Sequence, residues 1–263
     1  LVGSEMCIRD RYYAKQLECL CSQVRPGDRE AMEASKRHWN KIAKPLDGLG
    51  RMEDLLVKIA GVVRSEKLCL ERKAVVVFCA DNGVVAEGVT QTGSEVTAVV
   101  TENIARGIAS VNRMASVAGA DVIPIDVGVK GRLQETGIRN CRIADGTANL
   151  LHEPAMTMEQ TLEAIHTGIA LAGELKDSGY DLLAVGEMGI GNTTTSSAIA
   201  SVMLEQPPEA VTGRGAGLSG EGLKRKIDAI KRAVKLNEPD PSDPVDVLAK
   251  VGGCLLYTSD AAD

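Results

Sequence analysis

Gly186-Glu187-Met188-Gly189-Ile190-Gly191-Asn192-Thr193-Thr194-Thr195 decides how this chain is read, because it joins the apolar run Leu182-Leu183-Ala184-Val185 to residues 196–204, a stretch rich in Ala, Ile, Val, Met and Leu. The first run predicts a buried strand and the second a core-facing helix. Between them, glycines at 186, 189 and 191 let the backbone approach an anion. The first amides of a helix have no intrahelical partner and point at whatever lies there. Asn192 and Thr193 add side-chain donors. A strand, a glycine turn and a helix start outline a nucleotide or sugar-phosphate site, although spacing alone also allows a tight connection that needs glycine for its backbone angles.

Outward from that stretch, residues 74–79, 122–127 and 182–185 form three apolar runs with helical stretches between them, each ending in Asp or Gly. This is a parallel βαβ pattern, with the ligand crevice expected at the strand ends. The first crossover contains residues 95–117, where Val96, Val99, Val100, Ile104, Ile108, Val111 and Met114 stand at helical spacing. Thr157 with Gln160 is a capping box for a helix to about Leu175, with Gly179 beyond its end. Ser219 caps a helix through Val234, and Asp243-Pro244 supplies a cap and a first-turn proline before residues 245–249. Residues 31–63 are helical and charged, with Lys44-Pro45-Leu46-Asp47-Gly48-Leu49-Gly50 breaking the helix.

The composition narrows the function. A chain of 263 residues fits one large domain, or one large and one small. Hydrophobic residues at 44% and charged ones at 25% describe a globular protein, but aromatics at 2% leave few platforms for stacking bases. A net charge of -6 with acids and bases interspersed argues against a general nucleic-acid or membrane-surface binder and favours a small soluble ligand. No apolar stretch approaches the roughly 20 residues of a membrane-spanning helix, and the expected location is cytoplasmic.

Seven cysteines, at 7, 19, 21, 69, 79, 141 and 254, include no CxxC pair and no histidine at ligand spacing. No metal site is expected, and Cys69 and Cys79 read as small buried hydrophobes. His38, His152 and His166 are scattered and carry no assigned chemistry. The two ends, residues 1–11 and 254–263, share no periodic pattern with their neighbours and are expected to be non-native tails, so that the natural chain continues past Gly253.

Two further motifs bear on the site. Asp81-Asn82-Gly83-Val84-Val85 follows the first strand, placing short acid and amide side chains at its end; as a turn former it has an equally good structural reading. Thr212-Gly213-Arg214-Gly215-Ala216-Gly217 is a second glycine loop before a helix, with Arg214 and Lys226 available to neutralise a phosphate. The glycines at 186, 189 and 191 run opposite to GxGxxG spacing, which counts against a dinucleotide-dependent dehydrogenase.

Lys44-Pro45 with Leu49-Gly50, Asp81-Asn82-Gly83-Val84-Val85, Glu95-Val96-Thr97, Gly146-Thr147-Ala148-Asn149, residues 186–194 and Gly213-Arg214-Gly215 together resemble the nicotinate-nucleotide:dimethylbenzimidazole phosphoribosyltransferases of cobalamin biosynthesis. The resemblance covers residues 36–253. It implies an α/β fold, a parallel Rossmann-like sheet flanked by helices, with a small helical domain built from the chain ends. Residues 12–65 would form the N-terminal part of the small domain and residues 66–253 the large domain. It implies a homodimer acting on nicotinate mononucleotide and 5,6-dimethylbenzimidazole, with no cofactor, no metal, no nucleic acid and no membrane.

By the same resemblance, Gly189, Gly191, Asn192, Thr193 and Thr194 hold phosphate and ribose, supported by Arg214, Gly215 and Lys226. Glu187 and Met188 line the ribose and the acceptor base, and Asp81, Thr90 and Ser94 border the base pocket. Ser94 stands where the family commonly has Gln, a change that enlarges the pocket, and Gly48 stands where it usually has Ser. The family's general-base glutamate lies beyond Gly253, which leaves Glu187 as an assisting carboxylate. The chain as given is therefore expected to bind the mononucleotide weakly or not at all and to turn it over poorly. The rival expectation is a non-catalytic nucleotide-binding or regulatory homologue that lacks the base.

Overall fold

The computed structural model describes residues 2–253, with side chains from residue 12 onward. The tail expected at 254–263 lies outside the described residues. The elements run α1 (Val2–Gln23), α2 (Arg29–Lys41), α3 (Arg51–Val63), β1 (Lys73–Ala80), α4 (Glu95–Ala105), α5 (Ser110–Ala118), β2 (Ala120–Gly128), β3 (Arg139–Asn140), α6 (Met158–Asp177), β4 (Leu182–Met188), α7 (Asn192–Met203), α8 (Pro208–Val211), α9 (Gly220–Asn237) and α10 (Pro244–Val251), with a 3-10 turn at Gly83–Glu87 after β1. Contacts divide them into two compact units, Leu1–Ala14 with Arg72–Asp263, and Lys15–Glu71.

In the larger unit the sheet order is β3-β2-β1-β4, and every pairing is parallel. From β1 the chain lays β2 and then β3 on one side, and β4 on the other. The order therefore reverses between β1 and β4, and a doubly wound sheet opens its ligand crevice at such a reversal, outside the carboxyl ends of the strands. Alternation along β1 feeds two cores. Val76, Phe78 and Ala80 pack with Ile125, Val127 and the α6 residues Leu171 and Leu175. Val77 and Cys79 face the other way, onto Ile104 of α4 and Val129. Strands buried on both faces read as continuous apolar runs, which is why β1 and β2 are visible in the sequence. β4 corrects its expectation of burial: the apolar run is a strand, but it stands at the sheet edge beside β1, and among the described residues Leu182, Ala184 and Val185 are exposed. At two residues, β3 carries no such run.

The helix expected over residues 95–117 is two helices. Gly107 takes φ +76° between α4 and α5, and Asn112 supplies the restart by accepting from the Ala109 N–H at 3.2 Å and donating to the Ile104 carbonyl at 3.1 Å. Helix α6 begins as its sequence predicts, the Thr157 hydroxyl accepting from the Gln160 N–H at 3.1 Å while the Gln160 side chain accepts from the Thr157 N–H at 2.9 Å. Ser219 and Asp243 cap α9 and α10, and Ala198, Val202, Ile230, Val247 and Val251 of α7, α9 and α10 share a third core. Cys69 corrects its expectation: it is exposed, beyond the apolar run of β1, whereas Cys79 is buried and its thiol is pushed up to about 12, mainly by that burial.

The smaller unit packs α2 against α3. Asp28 caps α2 by accepting from the Ala31 N–H at 3.0 Å, and the Met32 side chain packs over Gly61, where a Cβ would sit 2.7 Å from it. The break at 44–50 is held by Glu53, which pairs with Lys44 at 2.8 Å and accepts from the Leu49 N–H at 2.9 Å. Those contacts hold the Glu53 carboxyl below its ordinary range, the Lys44 hydrogen bond contributing most. Among the described residues no helix is long and apolar enough to cross a membrane.

Candidate functional site

The carboxyl ends of β1 and β4 bring the two sequence motifs together. Leaving β4, the chain reaches Gly191, which caps α7 at φ +94°. A Cβ there would lie 2.9 Å from Val85 and 3.2 Å from the Asn82 side chain, so close packing and backbone angle both demand glycine. Asn82, fully buried at the end of β1, donates from Nδ2 to the Ile190 carbonyl at 3.0 Å. Thr97, fully buried in the first turn of α4, accepts the Ile190 N–H on Oγ1 at 3.2 Å. The glycine loop is thus a packed and hydrogen-bonded turn at the strand ends.

At the start of α7, Asn192 Nδ2 donates to Glu187, and Asn192 Oδ1 accepts from the Thr193 N–H at 2.7 Å. Thr193 Oγ1 accepts from Lys226 Nζ at 2.7 Å, and Lys226 also donates to the Gly213 carbonyl at 3.2 Å. Gly215 closes this corner, since a Cβ there would lie 2.8 Å from Thr193 Oγ1 and 3.6 Å from Lys226 Nζ. Lys226 is 1% exposed and its two partners are neutral oxygens. Burial alone pulls its ammonium down to about 8. The hydroxyls of Thr194 and Thr212 are buried without partners among the described residues. The Asn192 and Thr194 N–H groups at the start of α7 donate to the Gly189 and Gly191 carbonyls at 3.1 and 2.9 Å, so the feature that calls for an anion is the buried ammonium of Lys226 between the two glycine loops.

On the β1 side, Asp81 is 1% exposed; its Oδ2 accepts from the Lys130 N–H at 2.7 Å, and its Oδ1 has no partner among the described residues. Residues 146–149 pack onto it: the Thr147 N–H donates to the Asp81 carbonyl at 3.0 Å, and the Gly83 N–H donates to Thr147 Oγ1 at 3.0 Å. Glycine is needed at 83, where a Cβ would fall 2.5 Å from the Ala148 backbone. Thr90 Oγ1 donates to the Thr92 carbonyl at 2.8 Å, and Gln91 Nε2 donates to Gly217 in the second glycine loop. Segment 90–94 is therefore tied to the loop beside Lys226. Ser94 precedes α4 and makes no side-chain cap.

Met188 is half-buried against Val77, Cys79, Ile104 and Val129. Arg214 is exposed and donates to the Leu218 carbonyl at 3.1 Å, within its own loop. Among the described residues no cluster of three or more His, Cys, Asp or Glu is placed to hold a metal.

Sequence reasoning gave no separate role to Asn82, Thr97 or Gly253. The signal for the first two was a polar residue adjoining apolar ones, Asn82 after the strand and Thr97 in a Val-rich helix. Gly253 is buried, and a Cβ there would lie 2.4 Å from Asn82 Oδ1 and 2.9 Å from Thr195 Oγ1. That constraint comes from α10 returning to the strand ends, and no local pattern announces it.

A family model described as Phosphoribosyltransferase matches residues 24–258. A relative from Acetivibrio thermocellus, named nicotinate-nucleotide–dimethylbenzimidazole phosphoribosyltransferase, is 45% identical over 225 residues, which are 86% of this chain and 64% of the relative. A protein of the same name from Ruminiclostridium cellulolyticum is 45% identical over 224 residues, covering 85% of this chain and 64% of its own length. The crystal structure of CobT from Thermus thermophilus superposes with a TM-score of 0.81 at 40% identity, over 87% of this chain and 69% of that one. The chain thus spans 64% of the length of the first two relatives.

Proposed function

We propose, from the premise that this chain belongs to the nicotinate-nucleotide–dimethylbenzimidazole phosphoribosyltransferase family, that it transfers the ribose phosphate of nicotinate mononucleotide to 5,6-dimethylbenzimidazole or a related base. The products are α-ribazole 5'-phosphate and nicotinate, in assembly of the cobalamin nucleotide loop. The observation that carries the reading is Lys226, a buried ammonium set with Thr193 beside two glycine loops, with no carboxylate among the described residues to offset its burial. A phosphate supplies the missing negative charge.

In this reading the nicotinate ring of the mononucleotide is a pyridinium. The bond from its nitrogen to the anomeric carbon breaks with the electron pair leaving on nicotinate. A ring nitrogen of the acceptor forms the new bond on the opposite face, and the proton on its other nitrogen passes to a carboxylate. Fixing both rings about the ribose and favouring its developing positive charge is most of what the protein contributes. Glu187, held by Asn192 at the mouth of β4, orients the ribose and lends it negative charge. No residue among those described is assigned as the proton acceptor. Asp81, Thr90, Ser94 and Met188 border the acceptor, with Ser94 leaving room for a bulkier base. Gly189, Gly191, Asn192, Thr193, Thr194, Arg214, Gly215 and Lys226 hold the phosphate end. The assembly is a cytoplasmic homodimer, and its partners are small molecules.

The test is incubation with nicotinate mononucleotide and dimethylbenzimidazole, following nicotinate release and α-ribazole 5'-phosphate by mass. Slow formation of both in equal amounts supports the reading. Mononucleotide binding with neither product formed at any enzyme concentration replaces it with a non-catalytic nucleotide-binding protein.

A further inference from the structure

Both backbone polar groups of Ile190 are held by side chains from other elements. The Asn82 amide at the end of β1 donates to its carbonyl at 3.0 Å, and the Thr97 hydroxyl oxygen in α4 accepts its N–H at 3.2 Å. Neither side chain is exposed. A trans peptide is planar, with carbonyl and N–H pointing opposite ways. Drawing the Ile190 carbonyl toward Asn82 therefore turns the Gly191 N–H away from the strand end. Accepting the Ile190 N–H on Thr97 likewise turns the Gly189 carbonyl away from α4. Beyond these planes Gly191 takes φ +94° against Val85 and Asn82, and the carbonyls of Gly189 and Gly191 accept from the Asn192 and Thr194 N–H groups at 3.1 and 2.9 Å, so the direction set at Ile190 is passed on to the start of α7.

We infer that Asn82 and Thr97 are positioning residues that clamp Ile190 and so fix the direction of the loop amides from Gly191 onward. The inference rests on the reading of this loop as the phosphate holder only for its functional consequence. Thr97 is three residues past Ser94, so one hydrogen bond joins the segment assigned to the acceptor base to the loop assigned to the phosphate. Neither clamp residue is placed in contact with substrate, and their effect passes through Ile190.

The experiment is amide hydrogen exchange on the ligand-free protein, comparing Thr97→Val, which keeps shape and removes the acceptor, with Thr97→Ser, which restores it. The amides of residues 191–194 exchange at least about tenfold faster in the valine variant, and near the parent rate in the serine variant, while those of β1 are unchanged. Wild-type-like exchange of 191–194 in Thr97→Val, or a rise only in step with β1, overturns the clamp. The affinity for inorganic phosphate falls about tenfold in Thr97→Val and stays within about twofold in Thr97→Ser. If the exchange responds as described but the parent protein binds no phosphate, the clamp stands and the phosphate reading fails. Asn82→Ala supplies the other half: it frees the Ile190 carbonyl and speeds the same amides.

Discussion

Lys226 is expensive to bury and is therefore the residue from which the site's chemistry is best tested. Its ammonium titrates near 8 in the folded chain, against an ordinary value of 10.5. Between those values the unfolded chain binds more protons, so stability rises with pH across that window and the full cost is present below it. That cost is about 3 kcal/mol. Denaturation between pH 7 and 10.5 should show Lys226→Met more stable than the parent at pH 7 and the difference shrinking as pH rises; a constant difference contradicts the assignment. Phosphate binding runs the other way: it weakens as pH rises through the lysine's titration, because the charge it needs is lost.

Glu187→Gln keeps an acceptor for Asn192 and removes the charge that the proposed reading sets beside the ribose. It should lower kcat/KM by about 10²-fold and leave phosphate affinity nearly unchanged. A parallel loss of both would mean that Glu187 only holds the loop. Residue roles of this kind were only partly legible in the sequence. The sequence singles out Lys226 as a cation near the second glycine loop, but not its burial, which is decided by its packing against Thr193 and Gly213.

At the scale of elements, the glycine loop is set by its glycines together with the side chains at the end of β1, in the turn after it and in α4 that pack on it. Gly191→Ala places a Cβ 2.9 Å from Val85 on a backbone with φ +94°. The expected loss is about 2–3 kcal/mol, seen as a lower denaturation midpoint at unchanged slope, together with loss of phosphate binding. An alanine variant of parent stability would show that the turn adapts freely. The strands β1 and β2 were legible because parallel strands covered on both faces are apolar throughout, and α6, α9 and α10 because their caps are local. The apolar run of β4 gave the strand but not its exposure, which follows from its place at the sheet edge. The split between α4 and α5 was not, since the apolar spacing continues across it and only Gly107 and the Asn112 cap enforce the break. The two-residue β3 exists by virtue of its pairing to β2, a partner no window of sequence contains.

At the scale of the whole molecule, the reversal of strand order between β1 and β4 brings residues 81–83 and 186–194 together from positions about a hundred residues apart. Motif order foretold the family; the topology explains why those motifs belong together. The proposed homodimer is checked by sedimentation velocity, where a concentration-independent monomer contradicts it. The most direct test of the central claim is an NMR titration with inorganic phosphate, following the amides of residues 189–194 and the Lys226 ammonium. The account predicts that these signals shift together and saturate, and that Lys226→Met abolishes the effect. Shifts confined to other parts of the chain, or unaltered by the substitution, would contradict it.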